Sequence, residues 1–110
     1  MSVQEEIVYS VHNLTETVVI NNRSIRQINI SSHYTKHHKE GVSEKDIINL
    51  VNLLNQQYFP FDGQQGNDKN YFRTYLIIDE KKYKIVWWWW KSRELDKIYI
   101  RTCHRVKKKI

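Results

Sequence analysis

The chain has very little that interrupts or cross-links a backbone: among 110 residues there are one cysteine, one proline and three glycines. A lone Cys103 excludes an internal disulfide and the disulfide-stapled scaffolds, so a reducing compartment, the cytoplasm, is expected. The shortage of proline and glycine excludes collagen-like and low-complexity architectures, and no linker divides the chain. No apolar run approaches the ~20 residues of a membrane span. The opening Met1-Ser2-Val3-Gln4-Glu5-Glu6 has neither the basic nor the apolar stretch of an export signal, so no membrane contact is expected. No internal repeat is visible. The length suits one domain over residues 1–110.

What is present is charge and aromatic surface. The chain is 40% hydrophobic, 13% aromatic and 27% charged, which is too apolar for disorder. Its formal charge of +6 and isoelectric point near 9.5 point to an anionic partner, with nucleic acid first. The excess is uneven. Residues 1–60 carry five basic groups against six acidic ones, whereas the remainder carries thirteen against six.

Periodicity predicts an α+β domain with one main helix packed on an antiparallel β-sheet and a three-strand meander at the C-terminal end. Polar, β-rich residues 5–30 read as short strands over Glu6–Val11, Thr17–Ile20 and Ile25–Ile30. A His/Lys segment and then a helix fill 31–58. Ser43 and Asp46 form a capping-box start, and Ile47, Leu50, Val51, Leu54 and Tyr58 recur at helical spacing, so the helix is predicted from Glu44 to near Tyr58. Residues 59–70 form a polar loop. The meander over 71–104 consists of strands near Tyr71–Ile78, Lys82–Trp90 and Leu95–Cys103, and 105–110 is a basic tail. Alternation places Phe72, Thr74, Leu76 and Ile78 opposite Tyr71, Arg73, Tyr75 and Ile77. It likewise sets Ile98, Ile100 and Thr102 against Tyr99, Arg101 and Cys103. The helix would cover Leu76, Ile78, Ile98 and Ile100, leaving Arg73, Tyr75, Tyr99 and Arg101 on the opposite face.

Two segments stand out chemically. In Trp87-Trp88-Trp89-Trp90 alternate rings point to opposite faces, so at most one pair enters a one-sided core. The other pair is a base-stacking platform or a surface covered by other strands or a partner. As a platform, Trp88 and Trp90 would bind RNA with Tyr75, Lys39, Lys91, Arg93, Arg101 and Arg105. The segment from Ser31 to Glu40 gathers His33, Lys36, His37, His38 and Lys39. It reads as a solvated loop, as a zinc site through the i, i+4 pair His33 and His37, or as proton-transfer machinery. Zinc needs further ligands that only Cys103 or His104 offers at a distance, so no metal and no cofactor are expected.

The proton-transfer reading specifies a reaction. RNA carries its own nucleophile, the 2′-hydroxyl, so cleavage needs a base, an acid for the leaving 5′-oxygen and cations around the phosphorane. His33 or His37 would move the protons, Lys36 would lie beside the phosphate, and Arg73 and Arg101 would clamp it. Thr102 and His104 would add a hydroxyl and a second proton carrier.

Ser32-His33-Tyr34, Lys36-His37 and the helix start Val42-Ser43-Glu44-Lys45-Asp46-Ile47-Ile48, followed by the strands, resemble the small ribonuclease toxins of the barnase, colicin D and RelE-like superfamily. The similarity covers roughly 30–105. It implies a metal-independent endoribonuclease acting on tRNA or mRNA in the cytoplasm, including the cytoplasm of a cell into which it is delivered. It also implies a cognate antitoxin or immunity protein, with His33, Lys36 and His37 in one catalytic group and Arg73, Arg101 and Thr102 in the other. The alternatives are a non-enzymatic nucleic-acid-binding module that uses the Trp run and basic strands, or a protein-interaction factor of the inhibitor or immunity type.

Overall fold

The computed structural model describes residues 8–31, 42–61 and 68–106. Strands β1 (Tyr9–Ile20) and β2 (Arg23–Ser31) come first, then helix α1 (Glu44–Asn52), then β3 (Lys69–Ile78), β4 (Lys81–Trp90) and β5 (Lys97–Arg105). All five strands join one sheet in the order β1-β2-β5-β4-β3. Every pairing is antiparallel except that of β2 with β5, which is parallel and sets Ile28 beside Ile98 and Ile30 beside Ile100.

The expected fold class is therefore corrected. Strand dominates the described chain, the sheet is mixed rather than antiparallel, and the helix is a nine-residue element rather than the main one. Both edges of β5 are used, one against β4 and one against β2, so the last three strands are not a unit apart from the N-terminal hairpin. The β-branched pairs Ile28/Ile98 and Ile30/Ile100 make the parallel seam a buried one.

Local chemistry explains the hairpins. Asn21 and Asn22 both take positive φ, 51° and 62°, as a two-residue hairpin turn requires, and asparagine tolerates that region. Asp79 and Glu80 do the same at 50° and 67°. The three N-terminal strands expected are two. β1 runs through Leu14–Thr17, where the register slips between Asn13/Gln27 and Val18/Ile25, so polar residues bulge out without ending the strand.

The helix begins as expected. Ser43 Oγ accepts from the Asp46 amide at 3.1 Å, and the Asp46 carboxylate accepts from the Ser43 amide at 2.9 Å. It ends six residues early, at Asn52, because the following backbone finds partners on β1 and its turn. Asn55 Oδ1 accepts from the Val19 amide at 2.7 Å, the Gln56 amide donates to Val19 at 2.7 Å, and Asn21 makes two bonds to the Phe59 backbone. Competition for backbone groups stops this helix, and neither glycine nor proline is involved.

The core lies between α1 and one face of the sheet. Ile47, Leu50, Val51 and Leu54 pack with Ile28, Ile30, Ile98, Ile100, Ile85, Phe72, Trp87 and Trp89, all nearly inaccessible. Trp87 stacks on Phe72 at 5.3 Å and meets Phe59 edge-on at 5.3 Å. Its indole N–H has no hydrogen-bond partner.

A bulge in β5 overturns one facing expectation. Thr102 pairs with Val86 but Ile100 with Trp87, so Arg101 is the extra residue. Both Arg101 and Thr102 then lie away from the core, and it is Cys103, opposite Ile85, that joins Ile98 and Ile100 inside. Desolvation pushes the Cys103 thiol up to about 12, with Asp46 adding to the shift.

Candidate nucleic-acid interface

Among the described residues, no helix or strand packs on the second face of the sheet. Register assigns its rows. Lys69 pairs with Trp90, Tyr71 with Trp88 and then Tyr99, Arg73 with Val86 and then Thr102, and Tyr75 with Lys84 and then His104. The face is aromatic at one end and cationic throughout. Glu94 stands at its rim, where it contacts Lys97 and Tyr99.

The aromatic end is tightly built. Trp88 stacks on Tyr99 with centroids 4.3 Å apart and planes 11° apart, and it meets Trp90 edge-on at 5.2 Å. Tyr9 lies against Tyr99 at 5.1 Å. The Lys69 ammonium sits 4.3 Å from the Trp88 ring and 5.0 Å from Trp90, while the Arg93 guanidinium lies 3.8 Å from Trp90. Such contacts favour a cation over a ring by roughly 0.5–2 kcal/mol. Burial pushes the Tyr99 hydroxyl up to about 12, reinforced by its 2.8 Å bond to Glu94.

The sequence-predicted residues fall into four groups. Arg73, Thr102 and His104 share this face, with Arg73 and Thr102 flanking Val86 across about 10 Å of sheet. Arg101 joins them, its guanidinium 5.5 Å from the Tyr71 ring, and Tyr75 lies one row further along, under Lys82 at 4.8 Å. Trp90 and Arg93 form the aromatic corner, with the exposed Lys91 beside them. Two residues are placed otherwise than expected. Trp88 is only 8% exposed, so it supports its neighbours rather than offering a free ring. Arg105 pairs with Tyr83, on the side of the sheet that carries α1, and is not brought to this face. His33, Lys36, His37 and Lys39 lie outside the described residues.

Sequence reasoning missed Lys69, Lys84 and Glu94. Lys69 falls in the expected loop over 59–70, although it continues the alternation of Tyr71 and Arg73 and opens β3. Lys84 shares its parity with Trp88 and Trp90. Nothing in the sequence signals the role of Glu94, whose φ of 48° brings its carboxylate back to Tyr99.

A second polar cluster lies at the start of α1, where Glu44 Oε1 accepts from Ser10 Oγ at 2.8 Å and contacts His12 Nε2. The Ser10 hydroxyl, ahead of His12, holds the Glu44 carboxyl below its usual range. The histidine uses the same nitrogen for both neighbours, so the three side chains form a closed triangle rather than a proton relay. Among the described residues no group of His, Cys, Asp or Glu is arranged to hold a metal ion, and no helix is long and apolar enough to cross a membrane.

Comparison with protein-family models, with curated proteins and with solved structures finds no match for this chain.

Proposed function

We propose that the protein is a metal-independent endoribonuclease of the toxin type, with its RNA laid across the open face of the sheet. The observation that carries this reading is the arrangement of Arg73, Thr102 and His104, drawn from two strands far apart in the chain onto one cation-rich face. The β5 bulge supports it, because without the extra residue Thr102 would fall on the core side.

In the reaction the 2′-oxygen attacks phosphorus and gives its proton to a base. The bond from phosphorus to the 5′-oxygen breaks and that oxygen takes a proton, which leaves a 2′,3′-cyclic phosphate and a 5′-hydroxyl. Arg73 and Arg101 stabilise the phosphorane charge, Thr102 donates a hydrogen bond to a phosphate oxygen, and His104 carries a proton. His33, Lys36 and His37 are the proposed partners from the segment before α1. The reading implies cytoplasmic action on tRNA or mRNA and a neutralising partner that presents acidic groups to the same face.

The test is cleavage of RNA in EDTA. Arg73→Ala is expected to slow cleavage by about 10²-fold or more, and His104→Ala to slow it comparably, with unchanged melting temperatures. RNA that is bound but left intact by the wild-type protein favours a non-enzymatic binding module. That second reading draws on one specific feature: the aromatic corner and its cations are complete without any of the histidines. A protein-interaction factor is disfavoured by the cationic character of the face.

A further inference from the structure

Resting on the reading of this face as an RNA surface, we propose that Trp90 and Arg93 form a stacked pair whose outer plane receives one unpaired base. The RNA must then be single-stranded at that point.

Every group in this corner is held. The Tyr99 hydroxyl donates to Glu94 Oε1 at 2.8 Å, and Trp88, stacked on Tyr99 at 4.3 Å, stands beside Trp90. Trp88 fixes the Trp90 ring from its edge at 5.2 Å. Glu94 is in turn anchored: its carbonyl accepts from the Lys97 amide at 3.1 Å and from Arg23 Nη2 at 3.4 Å, and its carboxylate meets Lys97 Nζ at 3.5 Å. A positive φ at a glutamate costs on the order of 1 kcal/mol and persists here because these bonds over-determine it. The indole is therefore preorganised before any ligand arrives.

Arg93 caps that indole, its guanidinium carbon 3.8 Å from the ring centroid, and its side chain remains 60% exposed, which leaves the guanidinium open to an incoming ligand. Asp68 decides what the guanidinium accepts. Its Oδ2 lies 3.7 Å from Arg93 Nε, and its Oδ1 is held by the Ser92 hydroxyl at 2.6 Å. A carboxylate fixed beside the guanidinium offsets its charge and repels a phosphate there, which leaves a flat surface suited to a neutral π-system. Nucleic-acid bases stack on arginine planes as they do on aromatic rings. Arg93 is thus a base-contacting residue, and Lys69 and Lys91 are the cations left for the backbone. Tyr99 and Glu94 are positioning residues.

Lys69 pairs with Trp90 and lies four residues along β3 from Arg73, about 14 Å. A short oligonucleotide spans both points, and a base paired in a duplex cannot turn its face to this stack.

The experiment measures binding of a short single-stranded RNA of mixed sequence against versions lacking the base at each position in turn, followed by tryptophan fluorescence. Loss of one particular base is expected to weaken binding by about tenfold or more, and the other losses by much less. Arg93→Lys keeps the charge and removes the plane. It is expected to bind intact RNA as weakly as the wild-type protein binds the RNA lacking that base, and to show no further loss with the latter. Tyr99→Phe is expected to reduce the fluorescence change as well as the affinity. Equal binding at every abasic position, or wild-type affinity in Arg93→Lys, overturns the stacked-pair subsite while leaving the RNA reading intact. Failure of the wild-type protein to bind any RNA overturns both.

Discussion

The two faces of the sheet are made by the same strands and share almost no chemistry. On one, Ile, Leu, Phe and two Trp side chains close against α1. On the other, rings and cations alternate and no described element covers them. The four consecutive tryptophans show the contrast within a single strand. Trp87 and Trp89 are 0% and 3% exposed on the core side, where Arg23 lies 4.6 Å from the Trp89 ring, whereas Trp88 and Trp90 are dressed by Lys69, Arg93 and Tyr99 on the open side. A tryptophan run is not one feature. Strand parity divides it into a stability element and a recognition element.

The largest expected effect breaks this contrast at Trp87. Trp87→Ala should destabilise by about 3–5 kcal/mol, read from denaturant unfolding, while Trp90→Ala should shift stability much less and weaken RNA binding instead. Trp87→Phe sharpens the point. It deletes the unpartnered indole N–H along with some volume, so it should cost far less than the alanine change.

Next comes the turn between β3 and β4, which supports both faces. Glu80 holds φ at 67°, so Glu80→Gly should stabilise by about 1 kcal/mol and raise the melting temperature without altering RNA binding.

The smallest effects are in pH dependence and differ by face. On the α1 side the Glu44 carboxyl is depressed. Its contribution is present above the unfolded value of about 4.3 and is lost as pH falls through the folded value. Glu44→Gln should therefore flatten the acid limb of the stability profile. On the open face Tyr99 is raised, so its contribution is complete below about pH 10 and is lost as pH rises toward 12. Burial also raises Tyr9, so spectrophotometric titration should show late tyrosine ionisation, and Tyr99→Phe should remove the component near pH 12.

Much of this was legible in the chain. The capping box of Ser43 and Asp46 started the helix where expected, and the alternation in β3 sorted Phe72, Thr74, Leu76 and Ile78 from Tyr71, Arg73, Tyr75 and Ile77. Local signals carried those expectations. Non-local ones defeated the rest. The parallel seam between β2 and β5 leaves no mark in either strand, because Ile28 and Ile30 would suit an antiparallel partner equally well. The early end of α1 depends on acceptors and donors on β1, and the extra residue in β5 depends on Ile85 and Trp87 demanding Cys103 and Ile100 inside. At the site, Arg73, Thr102, Trp90 and Arg93 could be nominated from sequence, but the place of Asp68 beside Arg93 could not. The pairing of Lys69 with Trp90 fixes it, by bringing the residue before β3 to the loop after β4.

The central position of β5 has a consequence for the order of assembly. Each hairpin, β1 with β2 and β3 with β4, can pair from local contacts alone, but neither touches the other within the sheet until β5 enters between them. The strand that joins them is the last of the five to be synthesised. A ribosome-bound chain therefore holds two unjoined hairpins, with Arg73 on one strand and Thr102 not yet made. Folding must await the most distant contacts, the slow regime for a domain of this size. The same delay keeps the cationic face unformed until the whole sheet can close.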